Sequence, residues 1–193
     1  MYNDYFQKLT GILFKPLQVL EEYKTEEGIS KPLIFMLISV IISSIISLIF
    51  HLILGSEIIS VLITFVTLMA MGVGSTFVVS AIFHLFVKLF GGFNPYYQTF
   101  KAFAYVSAFN IVLALIQGIA SYITGVASFL NILIFLNIFY GLIGLWILVL
   151  MSSCLKFYTD LSTKKLVGVW VSSFLLLVLL GVIFSFIRNM LLV

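Results

Sequence analysis

The sequence predicts an all-α integral membrane protein, a bundle of five transmembrane helices with a short amphipathic N-terminal segment. Of its 193 residues, 63% are hydrophobic and only 9% are charged, and the mean hydropathy is +1.27. A soluble domain has roughly a quarter of its residues charged. The uncharged runs are long enough to cross a membrane, and all nine lysines share one side of a five-span topology. This composition excludes a free globular enzyme.

The segment before the first long apolar run, residues 1–31, is predicted to be a cytoplasmic amphipathic tail. Its apolar residues recur at spacings of three and four, as on one face of a helix: Phe6, Leu9, Leu13, Leu17 and Leu20. Because Pro16 is tolerated only in the first turn of a helix, we expect two helices, over about residues 2–14 and 16–27, ended by Gly28. Packing on the bundle and contact with lipid are equally compatible with this apolar face.

The remaining residues, 32–193, are predicted to form the transmembrane domain. The charged residues leave four long uncharged runs, residues 32–56, 58–87, 102–155 and 166–187. A helix needs about 20 apolar residues to cross the hydrocarbon core, so the third run holds two spans, with the turn between Gly118 and Ser128. The expected spans are about 33–54, 58–87, 99–119, 129–150 and 167–187. The second is expected to end at Gly91 and Gly92, because glycine suits a helix C-cap.

Positive charge predicts the orientation of the spans. Nine of the ten basic residues fall on one side of a five-span topology, namely Lys8, Lys15, Lys24, Lys31, Lys88, Lys101, Lys156, Lys164 and Lys165. Only Arg188 falls on the other side. Because cytoplasmic loops carry the excess of Lys and Arg, we expect a multi-pass protein of the cell (plasma) membrane with its N-terminus in the cytoplasm and its C-terminus outside.

Residues able to carry chemistry are scarce. The spans contain no acidic residue, and Cys154 has no evident base beside it, whereas a hydrolytic site needs a nucleophile with a base in reach. His51 and His84 are expected at opposite ends of their spans, and no further ligands complete a metal shell. We therefore expect no catalytic, cofactor or metal site. Nucleic acid is not among the expected partners.

Several uncharged polar side chains fall inside the predicted spans. The amides are Asn110, Gln117, Asn131 and Asn137. The hydroxyls form a stripe of Ser39, Ser43 and Ser47 at spacing four, which allows close helix packing. Helix packing, within one chain or with a second copy, is the favoured interpretation. The alternative is a path for a small neutral or lipid-like solute, and hence a transporter or channel.

Aromatic residues are expected to anchor the protein at the membrane surfaces, because Tyr and Trp place an apolar ring beside a polar tip. The residues assigned to these belts are Tyr96, Tyr97, Tyr105, Tyr140, Trp146, Tyr158 and Trp170. No ligand is needed to account for them.

Several segments together resemble the Yip family of Ypt/Rab-interacting membrane proteins. The main match is HLFVKLFGG at residues 84–92, followed by YQTFK at residues 97–101 and by Ala104 and Tyr105. Phe14-Lys15-Pro16 is similar to the basic-proline segment before the family's first span. Residues 140–146, Leu155 and the STKK segment at 162–165 are similar to its fourth span and the connection after it. The resemblance covers residues 10–170.

This resemblance implies five transmembrane helices with a cytoplasmic N-terminus. Eukaryotic members are associated with Rab GTPases and vesicle traffic, but the short tail and compact loops here are more similar to prokaryotic relatives, so Rab binding is not carried over. The chain also departs from the family after Tyr105, where a proline often follows and this sequence has Ser107, Ala108, Phe109 and Asn110.

The connection between the second and third spans is the candidate partner surface. It combines a glycine turn, a proline and paired tyrosines between two lysines, features that suit a shaped loop: Lys88, Gly91, Gly92, Asn94, Pro95, Tyr96, Tyr97 and Lys101. We therefore predict a non-enzymatic membrane adaptor or organiser that contacts the lipid bilayer and a cytoplasmic or membrane protein.

Overall fold

The computed structural model describes the backbone of residues 2–126 and 130–191, and the side chains of residues 5–124, 134 and 136–186. The tail forms α1 (Tyr2–Phe14), α2 (Pro16–Glu22) and a 3₁₀ turn (Tyr23–Thr25). The later helices are α3 (Ser30–Ile53), α4 (Ile58–Leu89), α5 (Tyr96–Val106), α6 (Phe109–Val126), α7 (Leu130–Thr159) and α8 (Thr163–Leu191). Throughout the described residues every regular element is helical, which confirms the all-α prediction.

Five stretches of the described chain are long and apolar enough to cross a membrane: Ser30–Ile53, Ile58–Leu89, Tyr96–Thr124, Leu136–Thr159 and Thr163–Phe186. The predicted number of spans is confirmed. Because α6 continues to Val126, the chain does not turn at Gly118. The later part of the predicted turn, residues 127–129, lies outside the described residues.

The third span lies at the centre of the bundle and is broken in two. Of its most apolar 18 residues, 67% are buried, against 28% or less in the other four spans. Its half α5 packs against α3, α4 and α7, and α6 packs chiefly against α3. Between the halves, the N–H groups of Ala108 and Asn110 bond to carbonyls three residues back, at 3.3 and 3.0 Å, and the Ser107 hydroxyl donates to the Ala104 carbonyl at 2.6 Å. The helix is therefore interrupted by tightened turns at a place without proline.

The tail packs against the bundle along one side. Tyr5, Leu9, Ile12 and Leu20 are buried, and the Tyr5 ring lies 5.0 Å from that of Phe35 on α3. The predicted first tail helix is confirmed, but the second ends at Glu22 and continues only as a 3₁₀ turn, earlier than the predicted Glu27. The apolar stripe is divided between two environments, because its members Leu9 and Leu20 are buried whereas Phe6 and Leu17 are exposed.

Candidate functional site

The tail and two connections between spans meet at one end of the bundle, which we call the lysine-rich end. The Tyr158 hydroxyl at the end of α7 donates to the Leu20 carbonyl of the tail at 2.7 Å. Lys24 of the tail pairs with Asp160, between α7 and α8, at 3.3 Å. The side-chain amide of Asn94, between α4 and α5, donates to the Tyr158 carbonyl at 2.5 Å. These contacts join three separate segments into one surface.

A buried lysine holds the tail in place. Lys101 on α5 is fully buried, and its ammonium donates to the carbonyls of Tyr23 at 3.1 Å, Lys24 at 3.3 Å and Glu26. Two of these carbonyls belong to the 3₁₀ turn and the third to the residue after it; that of Tyr23 also accepts the Glu26 N–H at 3.1 Å. Carbonyls at the C-terminal end of a helical turn carry partial negative charge. Lys101 therefore acts as a cap for the tail, supplied by a transmembrane span.

The Glu26 side chain completes this attachment. Its carboxylate accepts hydrogen bonds from Lys8 at 2.8 Å and from the Tyr105 hydroxyl, and Lys31 lies 3.7 Å away. Glu26 therefore links the first tail helix to the third span. We call the residues that join tail and bundle here the tail clamp: Lys8, Glu26, Lys101, Tyr105 and Tyr158.

The clamp predicts a loss of stability in acid. Burial raises the pKa of Glu26, but the hydrogen bonds from Lys8 and Tyr105 and the charges of Lys8 and Lys31 outweigh it and hold the pKa below its ordinary value of 4.5. A carboxyl with a lowered folded-state pKa contributes stability above its unfolded pKa, and that contribution is lost as the pH falls through the folded value. We expect the thermal midpoint of the wild-type protein in detergent to show this acid-dependent step below about pH 4.5.

Glu26→Gln is the matched variant for this prediction, since the amide keeps the side-chain shape but does not titrate in this range. Its midpoint should be lower than that of the wild type at pH 7, and the difference should shrink progressively as the pH falls below about 4.5. If the thermal midpoints of the two proteins changed in parallel with pH between 7 and 3, Glu26 would add no pH-dependent stability.

Half of the predicted partner loop serves the interior of the protein. Gly92 and Lys101 are buried, Asn94 bonds to the Tyr158 carbonyl, and the Tyr96 hydroxyl bonds to that of Ser80 at 2.7 Å. The other half is accessible, with Lys88, Gly91 and Pro95 exposed and Tyr97 half-buried. Contact with a partner stays a prediction for these exposed residues.

The glycine turn is required by the backbone. Gly91 has φ +86°, its N–H bonds to the Lys88 carbonyl at 3.0 Å, and the Gly92 N–H bonds to the Val87 carbonyl at 2.8 Å. This bonding closes α4 as predicted. A Cβ on Gly92 would lie 2.6 Å from Val87 Cγ1 and 2.9 Å from the Val87 carbonyl oxygen. Substitution of either glycine would therefore disturb the turn itself.

Sequence reasoning missed the most exposed aromatic residue of this end. Phe93, between α4 and α5, is 92% exposed. It borders a cavity of about 450 Å³ whose other walls include Asn94, Asp160, Ser162 and Lys165. The signal was present in the sequence as a phenylalanine directly after two glycines, outside any apolar run. The cavity itself depends on how the two connections meet.

The intramembrane amides do not form one line. Asn110 and Gln117 line a cavity of about 300 Å³ together with serines of α3 and α4. Asn137 is exposed on α7 and is not among the residues that line this cavity. The side chain of Asn131 lies outside the described residues. The structure thus brings two of the four amides together, with Tyr140 as a further wall.

The predicted aromatic belts need correction at two positions. Tyr105 and Tyr158 are buried, and both bind the tail instead of a membrane surface. The histidines are apart as expected: His84 Nδ1 lies 3.1 Å from the Thr99 hydroxyl, whereas His51 is exposed in the last turn of α3. In the part of the chain that the structure describes, no three or more His, Cys, Asp or Glu residues are grouped so that they could hold a metal ion.

Comparison with known proteins identifies the family. No curated protein and no solved structure matches the chain significantly. The family model described as the Yip1 domain matches residues 10–186, which include all five spans and most of the tail. The match covers most of the chain and agrees with the resemblance carried by residues 84–92 and 97–101. The chain belongs to the Yip1 domain family of multi-pass membrane proteins.

Proposed function

We propose that the protein is a non-enzymatic membrane adaptor or organiser of the Yip type, which binds a protein partner at its lysine-rich end. The single observation that carries this proposal is Phe93, an aromatic side chain 92% exposed beside a cavity of about 450 Å³. Large aromatic side chains are the usual anchors of protein interfaces. A polar rim of Asp160, Ser162 and Lys165 around an apolar anchor is the usual anatomy of such a site.

The rigidity of the platform supports the same function. Phe93 is followed by Asn94, whose bond to Tyr158 fixes the connection to α7, and Tyr158 in turn holds the tail through Leu20. A binding residue held by such a scaffold loses less conformational entropy when its partner docks. The tail clamp therefore has a functional consequence, because it stabilises the surface that presents Phe93.

The orientation that fits this function places the lysine-rich end in the cytoplasm. Nine of the ten basic residues belong to the segments on this side of the five-span topology, and cytoplasmic loops carry such an excess. In this orientation the C-terminus lies outside. The membrane in this proposal is the cell (plasma) membrane. The division into a tail of residues 1–31 and a transmembrane domain of residues 32–193 is retained as part of the proposal.

The outer face of the tail supports contact with lipid as well. Phe6, Phe14 and Leu17 are 57%, 81% and 45% exposed, while the opposite face packs on the bundle. An apolar face at the level of the headgroups gains free energy by entering the acyl boundary. Packing on the bundle and contact with lipid, the two alternatives left open by the sequence, then apply to opposite faces of the tail.

Replacing Phe93 with alanine should greatly weaken partner binding without loss of protein. Truncation of an aromatic anchor typically costs 2 kcal/mol or more, roughly a thirtyfold loss of affinity. We expect affinity purification after crosslinking in cells to recover the partner at least tenfold less well. Leu89→Ala is the matched control, since Leu89 is 69% exposed at the same end but does not line the cavity.

A photo-crosslinking phenylalanine analogue at position 93 locates the contact directly. A discrete protein adduct formed from this position, and not from position 89, is the result expected of an adaptor. Adducts with lipid alone, in cells where the protein is inserted normally, would argue against a protein partner at this surface.

Transport of a small neutral or lipid-like solute is less well supported. A path needs polar groups along the membrane, but Asn137 does not line the cavity that holds Asn110 and Gln117. Association with a second copy of the chain stays a prediction.

A further inference from the structure

A groove in the middle of the bundle carries an inference independent of the adaptor function. Its volume is about 300 Å³, and its walls come from α3, α4, α6 and α7. Gly72 in its wall is about 21 Å along α4 from Ile58 and about 26 Å from Leu89, at 1.5 Å per residue. The groove therefore lies at the depth of the bilayer core, far from both headgroup regions.

Two amides in the groove are without partners. Asn110 and Gln117 are seven residues apart on α6, both are exposed, and neither side chain has a hydrogen-bond partner among the described residues. Two serine hydroxyls nearby, in contrast, have hydrogen-bond partners within their own helices. Ser43 donates to the Val40 carbonyl at 3.0 Å, and Ser75 donates to the Gly72 carbonyl at 3.2 Å. An amide without a hydrogen bond in hydrocarbon costs several kcal/mol. A ligand that pairs with these amides would remove that cost.

We propose that this groove binds a neutral amphiphile, a lipid-like molecule whose head carries hydroxyl, ester or amide groups and no charge. Each side-chain amide offers two donors and an acceptor, which complement the carbonyl and hydroxyl groups of such a head. No charged residue lines the groove, and a charged head at the bilayer centre is costly. A neutral head lacks this penalty, and its acyl chain can lie against Leu113 and the exposed Met71.

The shape of the groove favours a lipid over a second copy of the chain. A helix with its side chains is about 10 Å across, too wide for a recess of about 300 Å³ between four helices. That volume is at the lower end of the range for small-molecule sites. The opening is lateral, because Asn110, Gln117 and Met71 are exposed on the side of the bundle. A molecule already dissolved in the bilayer can enter from there.

Photolabelling in vesicles tests this site. The full chain is reconstituted in phosphatidylcholine vesicles that contain a photoactivatable diacylglycerol analogue, and labelled peptides are identified by mass spectrometry. We expect labelling within the segments that line the groove, and competition by unlabelled diacylglycerol. Asn110→Leu with Gln117→Leu should reduce labelling at least fivefold. Thr124→Leu, which replaces an exposed polar side chain of α6 outside the groove, should leave it unchanged.

Two results would overturn the proposal. Equal labelling of the wild type and the double-leucine variant would do so, as would disulfide-linked pairs of a Gln117→Cys variant, because a second copy would then cover the amides. The thermal midpoint of the double-leucine variant in detergent should be no lower than that of the wild type, since leucine replaces unpaired amides. If the midpoint of the double-leucine variant falls, the Gln117→Leu single variant is used in its stead. Undiminished labelling of that single variant rejects the site.

Discussion

Replacing Lys101 with methionine is expected to release the tail from the bundle and to lower the free energy of unfolding by about 1.5–3 kcal/mol, the usual contribution of hydrogen bonds to a charged group. The ammonium is fully buried and serves three tail carbonyls. Methionine has a similar length but no donor, so these carbonyls would lose the charged donor of α5 or would separate from it. Release of the tail is the less costly outcome, because water then satisfies them.

Thermal unfolding in detergent and limited proteolysis of the tail measure this effect. The variant should unfold at a lower temperature and should be cleaved rapidly between Lys8 and Lys31, where the wild type is protected. Lys156→Met is the control, since Lys156 is exposed on α7 and has no hydrogen bond or ion pair with the described residues. A Lys101→Met protein as stable and as protected as that control would show that the clamp contributes little.

Gly118→Val is expected to disrupt the packing of the central span against α3. A Cβ at Gly118 would lie 2.0, 2.4 and 2.5 Å from the Cδ2, Cε2 and Cγ atoms of Phe50. Because Cγ is among these atoms, the ring cannot escape by a movement of its far end alone. Overpacking of this kind costs about 1–3 kcal/mol and occasionally more. We expect a marked fall in the yield of folded protein and in its thermal midpoint.

Two further variants separate crowding from the general effect of valine in a helix. Gly74→Val is the matched control, because a Cβ on this α4 glycine meets nothing within 4 Å. Phe50→Ala should restore much of the lost stability when combined with Gly118→Val, since it removes the clashing ring. Equal losses at Gly118 and Gly74, with no rescue, would contradict close packing of α6 on Phe50.

The number of spans and their helical type follow from the sequence because they depend on local properties. Uncharged runs of 22 residues or more specify helical spans, because the hydrocarbon core of a bilayer leaves backbone N–H and C=O groups no partner but one another. Pro16 separates the tail helices for an equally local reason, and the φ of +86° at Gly91 matches the prediction of a glycine cap.

The tail clamp, the break in the third span and the cavity beside Phe93 depend on contacts between segments distant in the chain. Lys101 was assigned to the exposed partner surface by its place in the sequence, but it is covered by tail carbonyls 75 to 78 positions earlier. Tyr158 was assigned to a belt for the same reason, and it binds Leu20, 138 positions away. The break at Ser107 and Ala108 has no proline to indicate it. The cavity beside Phe93 likewise needs two connections that only the fold brings together.

Crosslinking between the tail and the connection after α7 tests most directly the claim that the tail is clamped onto the bundle. Lys24 and Asp160 are exposed and 3.3 Å apart at their charged atoms, and the native Cys154 is buried. Lys24→Cys with Asp160→Cys should be joined within the chain by a short thiol crosslinker in intact membranes, and the added Lys101→Met change should greatly reduce the product. Absence of the crosslink in the double-cysteine protein that retains Lys101 would contradict a clamped tail. Equal yields of the crosslinked product with and without the Lys101→Met change would contradict it as well.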